Sequence, residues 1–427
     1  MSLSRHVNAF VNNGYLGVLV DARYPVDVIA WLQDRNRAAQ PASPGKMLFD
    51  TRDLRKKHVV LIIEESFAGP VWRDSELRQR FLPHFSALAE RGISFSRMYA
   101  TGSRTTRGME ALLNGFAPLP GISTTERAGF ERLPALARAM ADGGFHPVFI
   151  YGGWPGFSNF SNYWRATGFK QIWTRDDFDE DFTTSWGVAD QALFRRILLE
   201  MDKLVTTEGR VFLSTLTVSH HRPFDFPPGL IDLPAGERSS TYAMSYADAS
   251  LGWFFNAARE KPWFDDTLFI VSADHGLRSR GDPLIPVDSY RIPFVIYANG
   301  VEPRTIDRVR STLSLPQTLV ELFTLDTAEV FHGRSLLCDC DLPAPVEYGY
   351  HSGLVGPSTL KVINRSGVCA QWTRAEVEPE HGAAEFNHPE KIGSVDTHCP
   401  FEDEVEQVFG PAYRHFYGGG EIAKPRE

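Results

Sequence analysis

The sequence predicts an α/β fold: a doubly wound, largely parallel central sheet with helices on both faces, followed by a small C-terminal antiparallel α+β subdomain. Three observations carry this prediction. Apolar runs of strand length recur along the chain, as HVVLIIEES (58–66), ISFSRMYA (93–100), FHPVFIYGG (145–153), RVFLSTLTVSH (210–220), DTLFIVSADHG (266–276) and IPFVIYANG (292–300). They are continuous rather than alternating, the pattern of strands buried on both faces. Amphipathic stretches lie between them, and strand and helix patterns in alternation point to a doubly wound sheet.

In chain order, residues 1–57 read as a helical lead-in closed by the Pro-rich linker QPASPGK. Residues 58–340 carry the strand–helix alternation, with helical patterns over Ser75 to Arg91, Leu133 to Ala141, Gln191 to Leu204, Ser239 to Arg259 and Leu315 to Phe323. Residues 341–427 change texture. The short pieces VEYGYHSG, STLKVINRSG and VCAQWTRAEVE predict a small antiparallel sheet, and a helix is expected near Glu402 to Phe416. The aromatic groups Trp253, Phe254 and Phe255, and Trp263 with Phe264, read as packing.

Composition excludes several function classes. A formal net charge of -9 and the lack of any lysine-rich block argue against nucleic-acid binding. Apolar content of 43% and charged content of 23% are those of a folded globular chain. The most apolar N-terminal stretch is interrupted by Asn12, Asn13, Asp21, Arg23 and Asp27, so no membrane span or secretory leader is read there. Cys338, Cys340, Cys369 and Cys399 lack the paired spacing of a zinc site; a Cys369–Cys399 disulfide and free thiols both stay open.

In a doubly wound sheet, ligands gather beyond the carboxyl ends of the strands. Three runs end there in ionisable residues: Glu64 and Glu65, His220 and His221, Asp274 and His275. Two hard carboxylates and an imidazole from Glu65, Asp274 and His275 suit one divalent metal, Mn first, with Mg or Zn as alternatives. The stretch YATGSRTTRGMEALLNGF (99–116) places Thr105 and Thr106 at the start of a helix with Arg104 and Arg107 beside them. A helix N-terminus favours an anion, and a threonine hydroxyl becomes a nucleophile when a base or metal activates it. A helix cap is the plain alternative for either threonine.

These motifs, together with FIYGGWPGFSNFSNYWRATGF, WGVADQALF, TVSHHRPFDFP, YADASLGWFF and YRIPFVIYANG, resemble the lipoteichoic acid synthase and phosphoglycerol transferase branch of the sulfatase-like alkaline phosphatase superfamily. The nearest pattern is that of the osmoregulated periplasmic glucan phosphoglycerol transferases, and it runs from about His58 to Leu337. The resemblance implies metal ligation by Glu65, with Glu64 as fallback, and by Asp274, His275 and Thr105. It implies Thr105 as nucleophile, with Thr106 as the neighbouring alternative. It also implies that His221 contacts the phosphoryl group, where His220 stands in a place relatives often fill with Asn. Arg107 is expected to stabilise phosphoryl charge; Trp154, Asn159 and Arg278 are expected to line the substrate site. The segment GFSNFSN departs from the family, with Ser158 where many relatives have Asp.

The expected activity is transfer of a glycerophosphate group from a phosphatidylglycerol-like donor to an acceptor hydroxyl, on a glycan, through a phosphothreonine. The resemblance places this at the periplasmic or extracellular face, in contact with a membrane surface, as a soluble domain whose anchor is absent from this chain; the residues alone leave a cytoplasmic location open. Phosphoethanolamine transfer and phosphodiester hydrolysis are alternatives on the same fold. Sulfatase chemistry is disfavoured because TTRGM lacks the Cys or Ser and the Pro of a formylglycine stretch. A non-catalytic binding domain is the remaining reading.

Overall fold

The computed structural model describes residues 46–412, apart from 68, 120, 181, 233–238, 277–284, 349–350, 365–367, 374–389, 395–399, 402–403, 406 and 411. Strands β1 (His58–Glu64), β2 (Ile93–Tyr99), β3 (His146–Tyr151), β4 (Gln171–Trp173), β5 (Val211–Leu216), β6 (Thr267–Ala273), β7 (Arg291–Ile292), β8 (Phe294–Tyr297) and β9 (Arg304–Ser311) form one sheet. Its order is β4-β3-β5-β1-β6-β8-β2, with β7 and β9 also paired to β2. β1 lies at the centre, parallel to β5 on one side and to β6 on the other. The segment β7/β8 runs against its neighbours, and β2 and β9 are parallel to each other. Every residue of β1, β5 and β6 is buried, as strands covered on both faces must be.

The main helices are α1 (Pro83–Ala89), α2 (Thr105–Asn114), α3 (Leu136–Asp142), α4 (Asp190–Thr207), α5 (Ser240–Arg259) and α6 (Leu315–Phe323). The helix expected over Ser75 to Arg91 is two helices, Ser75–Phe81 and α1. Pro83 is the cause: it disfavours α conformation at the residue before it, and Leu82 sits at φ -132°, ψ 45°. The new N-terminus at α1 is capped from a distance, since the Asp248 carboxylate accepts from the backbone N–H of His84 at 2.9 Å and of Phe85 at 2.8 Å. Asp248 is buried, and burial pushes its carboxyl up to about 7.

Trp263, Phe264, Phe254 and Phe255 belong to the main apolar core, and Trp253 packs against it. Strands β10 (Ala344–Tyr348), β11 (His351–Val355), β12 (Thr359–Asn364), β13 (Val368–Thr373) and β14 (Glu390–Ser394) make the antiparallel sheet in sequential order. It is tied to the main sheet through Glu347, whose N–H donates to Thr101 O at 3.0 Å and whose carbonyl accepts from Tyr290 Oη at 2.6 Å. Residues 404, 405, 407–410 and 412 are helical, inside the span expected near Glu402 to Phe416; the rest of that span and the lead-in up to residue 45 lie outside the described residues. The disulfide joins Cys338 to Cys340, and Cys369 is a buried free thiol. Of the two open alternatives, Cys369 is therefore the free thiol and Cys338 and Cys340 are not; Cys399 itself lies outside the described residues. No described helix is long and apolar enough to cross a membrane.

Candidate active site

Parallel register brings the carboxyl ends of β1, β5 and β6 to one edge: Ile63 pairs with Leu216, and Glu64 with Ala273. The residues that follow, Glu65, Thr217 and Asp274, are therefore neighbours. Glu65, Asp274 and His275 are buried, and one ligand atom from each falls within 4.8 Å of the others. Glu65 N–H donates to Thr217 Oγ1 at 2.9 Å, and Thr217 Oγ1 donates to Glu64 Oε2 at 3.0 Å. Glu64 thus faces back into the sheet, where burial and Asp190 push its carboxyl well above the ordinary glutamate value. The fallback ligand is not in the cluster.

The donor set fits a divalent cation. Asp274 Oδ1 accepts from Ser66 N–H at 2.8 Å and from His275 N–H at 2.7 Å, whereas Oδ2 is buried with no hydrogen-bond partner. His275 Nδ1 donates to Gly276 O at 2.7 Å, leaving Nε2 at 3.5 Å from Asp274 Oδ2 and 3.7 Å from Glu65 Oε1. A ligating histidine held through its other nitrogen by a carbonyl is the usual arrangement. Ser66 adopts φ 57°, a left-handed conformation uncommon for a residue with a Cβ. That turn aims its N–H at Asp274 and its hydroxyl at Glu65 Oε1, 2.5 Å away.

Burial and the adjacent Glu65 push Asp274 up to about 7. Burial also acts on Glu65, but His275, His221 and the Ser66 hydroxyl hold it below the ordinary glutamate value. The sign of the pH effect follows: below about pH 7 the metal-free site retains a proton on Asp274, which a cation must displace. Mn affinity is expected to fall about tenfold per pH unit below that point, one proton being exchanged. Calorimetry in buffers of different ionisation heat checks this; a flat affinity with no proton release would contradict it.

Thr105 opens α2, and its Oγ1 donates to Glu65 Oε2 at 3.2 Å. Thr106 is buried. Helix and strand end approach closely because Gly108 has no side chain: a Cβ there would lie 2.5 Å from Asp274 O. His220 serves the backbone, donating from Nδ1 to Glu65 O at 3.0 Å while Nε2 meets Ser240 Oγ at 3.0 Å; burial lowers its imidazole to about 4. An Asn amide could make the same donation to Glu65 O.

Two expected contacts are placed differently. Arg107 is buried and spends its guanidinium on Glu110 (3.0 Å to Oε2) and on the carbonyls of Gly121 (3.0 Å) and Ile122 (3.3 Å). It ties α2 to the following loop, and the exposed Arg104, at the cap of α2, is the arginine left for an anion. Asn159 is likewise committed, donating to Thr125 O at 2.9 Å and accepting from Asn162 at 2.8 Å. Trp154 is exposed, with Nε1 donating to Ser185 O at 2.8 Å and the Arg175 guanidinium 3.8 Å over its ring. Arg278 and Arg280 lie outside the described residues. Trp186, not singled out from sequence, packs on His221 with ring centroids 3.6 Å apart. Its one signal was its place in WGVADQALF.

Among known proteins, the chain is 25% identical over 307 residues to phosphoglycerol transferase I of Escherichia coli strain UTI89, covering 68% of this chain and 40% of that protein. The Shigella flexneri protein of the same name is 24% identical over the same length. The chain thus spans about two fifths of the length of these curated relatives. Among solved structures, a protein in the alkaline phosphatase superfamily from Vibrio parahaemolyticus matches with a TM-score of 0.76 at 25% identity, covering 91% of this chain and 96% of that one. The lipoteichoic acid synthase LtaP from Listeria monocytogenes shares the fold, with a TM-score of 0.71 at 18% identity and the same coverage. The family model Sulfatase matches residues 57–325, and the chain belongs to the sulfatase family.

Proposed function

We propose that this chain is a metal-dependent phosphoglycerol transferase, moving glycerophosphate from a phosphatidylglycerol-like donor to an acceptor hydroxyl on a glycan. The observation that carries the reading is the Thr105 hydroxyl, which donates to Glu65 at 3.2 Å beside Asp274 and His275. Similarity to phosphoglycerol transferase I supports the choice of transferred group. Glu65, Asp274, His275 and Thr105 would hold a divalent ion, taken as Mn, which when bound would supply Lewis acidity that lowers the pKa of the hydroxyl.

In this reading the Thr105 oxygen attacks phosphorus and its proton passes toward Glu65. The bond from phosphorus to the glyceride oxygen breaks, and that oxygen leaves with the electron pair and a proton from Nε2 of His221, which enters this step protonated on both nitrogens. The acceptor hydroxyl then attacks the phosphothreonine and returns its proton to His221; the bond from phosphorus to the Thr105 oxygen breaks, and that oxygen takes its proton back from Glu65. Exposed Arg104 and the N–H groups opening α2 meet the phosphoryl oxygens. Trp154, exposed beyond β3, is kept as a substrate contact, and residues 58–340 act as the catalytic unit. The reading carries with it a periplasmic or extracellular site at a membrane surface, with which the Cys338–Cys340 disulfide agrees.

The test offers phosphatidylglycerol and phosphatidylethanolamine separately with Mn and follows diacylglycerol. Release from phosphatidylglycerol alone is expected. Release from phosphatidylethanolamine alone would reassign the head group, and release from neither would overturn the lipid-donor reading.

A further inference from the structure

The second strand-end histidine is held by a device that the metal cluster does not include. After β3, the backbone of Gly152 and Gly153 is clamped to a loop over residues 183–188. Gly153 forms a bridge with Gly187, and Val188 N–H donates to Gly152 O at 2.9 Å. The contact is backbone on backbone: a Cβ on Gly187 would fall 2.0 Å from Gly152 O. Within the loop, Thr184 N–H donates to Gly187 O at 2.7 Å and Trp186 N–H to Thr184 Oγ1 at 3.0 Å. The loop is thus a fixed arm, and it carries one large ring.

That ring lies between two others. Phe157 meets Trp186 edge-on with centroids 5.3 Å apart, and His221 meets it at 3.6 Å with an interplanar angle of 41°. Trp186 Nε1 and His221 Nδ1 converge on a single acceptor, the carbonyl oxygen of Arg222, the latter at 3.0 Å. A carbonyl only accepts, so Nδ1 carries the imidazole proton and Nε2 keeps its lone pair. When doubly protonated, His221 is close enough to Glu65 to contribute to holding that carboxylate low.

We infer that Trp186 is a positioning residue for His221. Its ring fixes the imidazole plane, and its N–H anchors the Arg222 carbonyl that keeps one proton on Nδ1, so that Nε2 is the nitrogen that gives and regains the second proton at the transferred group. The inference rests on the proposed role of His221 for its catalytic consequence, but its structural content stands apart. Held rings lose little further freedom when substrate arrives, which is how a remote contact acts on turnover rather than on binding.

The test compares Trp186→Leu, which removes ring and N–H, with Trp186→Phe, which keeps a ring, and His221→Ala. Long-range nitrogen NMR of the metal-free protein at alkaline pH reads the His221 tautomer directly. The wild type is expected to show the Nδ1–H form, against the Nε2–H preference of an unconstrained histidine side chain; Trp186→Leu is expected to show a mixture. With Mn and lipid donor, Trp186→Leu is expected to lower kcat by on the order of 10- to 100-fold with KM changed by less than about threefold, and Trp186→Phe to recover part of the loss. Adding His221→Ala to Trp186→Leu is expected to give no further loss beyond His221→Ala alone. An unchanged tautomer in Trp186→Leu, or a loss that adds fully to that of His221→Ala, would overturn the inference. Full activity in His221→Ala would instead overturn the role of His221 and leave the tautomer result to be judged by itself.

Discussion

Thr105→Ala is expected to reduce turnover by about 10⁴-fold or more, because removing a nucleophile removes the covalent route altogether. The fold should not register the change. Thr105 is half-buried at the first position of α2, its one described hydrogen bond runs to Glu65, and the helix receives no side-chain cap from Arg104. The melting midpoint should stay close to that of the wild type, while diacylglycerol release ceases. Thr105→Ser, which keeps a hydroxyl, should retain measurable release and form the trapped phospho-enzyme when acceptor is withheld. Wild-type turnover in Thr105→Ala would remove the assignment, and loss of activity with a lowered midpoint would show that the side chain mattered for folding instead.

Arg310→Met is expected to lower stability by about 3 to 5 kcal/mol, the largest single effect on the fold. Arg310 sits on β9 with no exposed surface. Its guanidinium donates to Leu336 O at 2.8 Å, Val309 O at 3.0 Å, Cys340 O at 3.0 Å and Cys338 O at 2.8 Å. All these acceptors are carbonyls. Burial lowers its pKa to about 10, so the group remains charged at neutral pH and is solvated by peptide dipoles in place of water. Methionine fills the volume but leaves those carbonyls with fewer donors, and the segment around the Cys338–Cys340 disulfide loses its tie to the sheet. Urea unfolding measures the loss. Arg308→Ala supplies the contrast: Arg308 is partly exposed and paired with Asp339 and Asp341, and its removal should cost under about 1 kcal/mol. Equal effects at the two positions would show that burial of Arg310 is not what matters.

Much of this was legible in the chain before any coordinates. The runs 58–66, 210–220 and 266–276 have apolar centres without polar alternation because both faces of their strands are covered, so their centres and carboxyl ends could be read directly. With the ends fixed, Glu64 and Glu65, Asp274 and His275, and the Thr105–Thr106 pair became candidates, since one edge of a parallel sheet collects them; the choice of Glu65 as ligand and Thr105 as nucleophile came from the family resemblance. β9 escaped because RTIDRVRS mixes charge and alternation, the texture of a strand paired at the margin. Side-chain direction also escaped. Arg104 and Arg107 look equivalent in a string of letters, yet one is exposed at the helix cap and the other turns inward to Glu110. Asn159 reads as a pocket residue until its carboxamide is seen to be committed at both ends. Trp186 carried no periodicity to mark it, because its role comes from a loop folded onto a distant turn.

The close approach at Gly108 has a bearing on how this chemistry can be inherited. Thr105 and Asp274 lie far apart along the chain, yet their spacing is gauged by a hydrogen where every other residue would place a carbon. Such a gauge is indifferent to the surrounding side chains, which can drift while the clearance persists. A glycine three positions after a helix-opening threonine is therefore the feature expected to mark the same clearance in other chains of this fold. A chain that fills it has moved the helix away from the strand end, and with it the distance on which the proposed reaction depends.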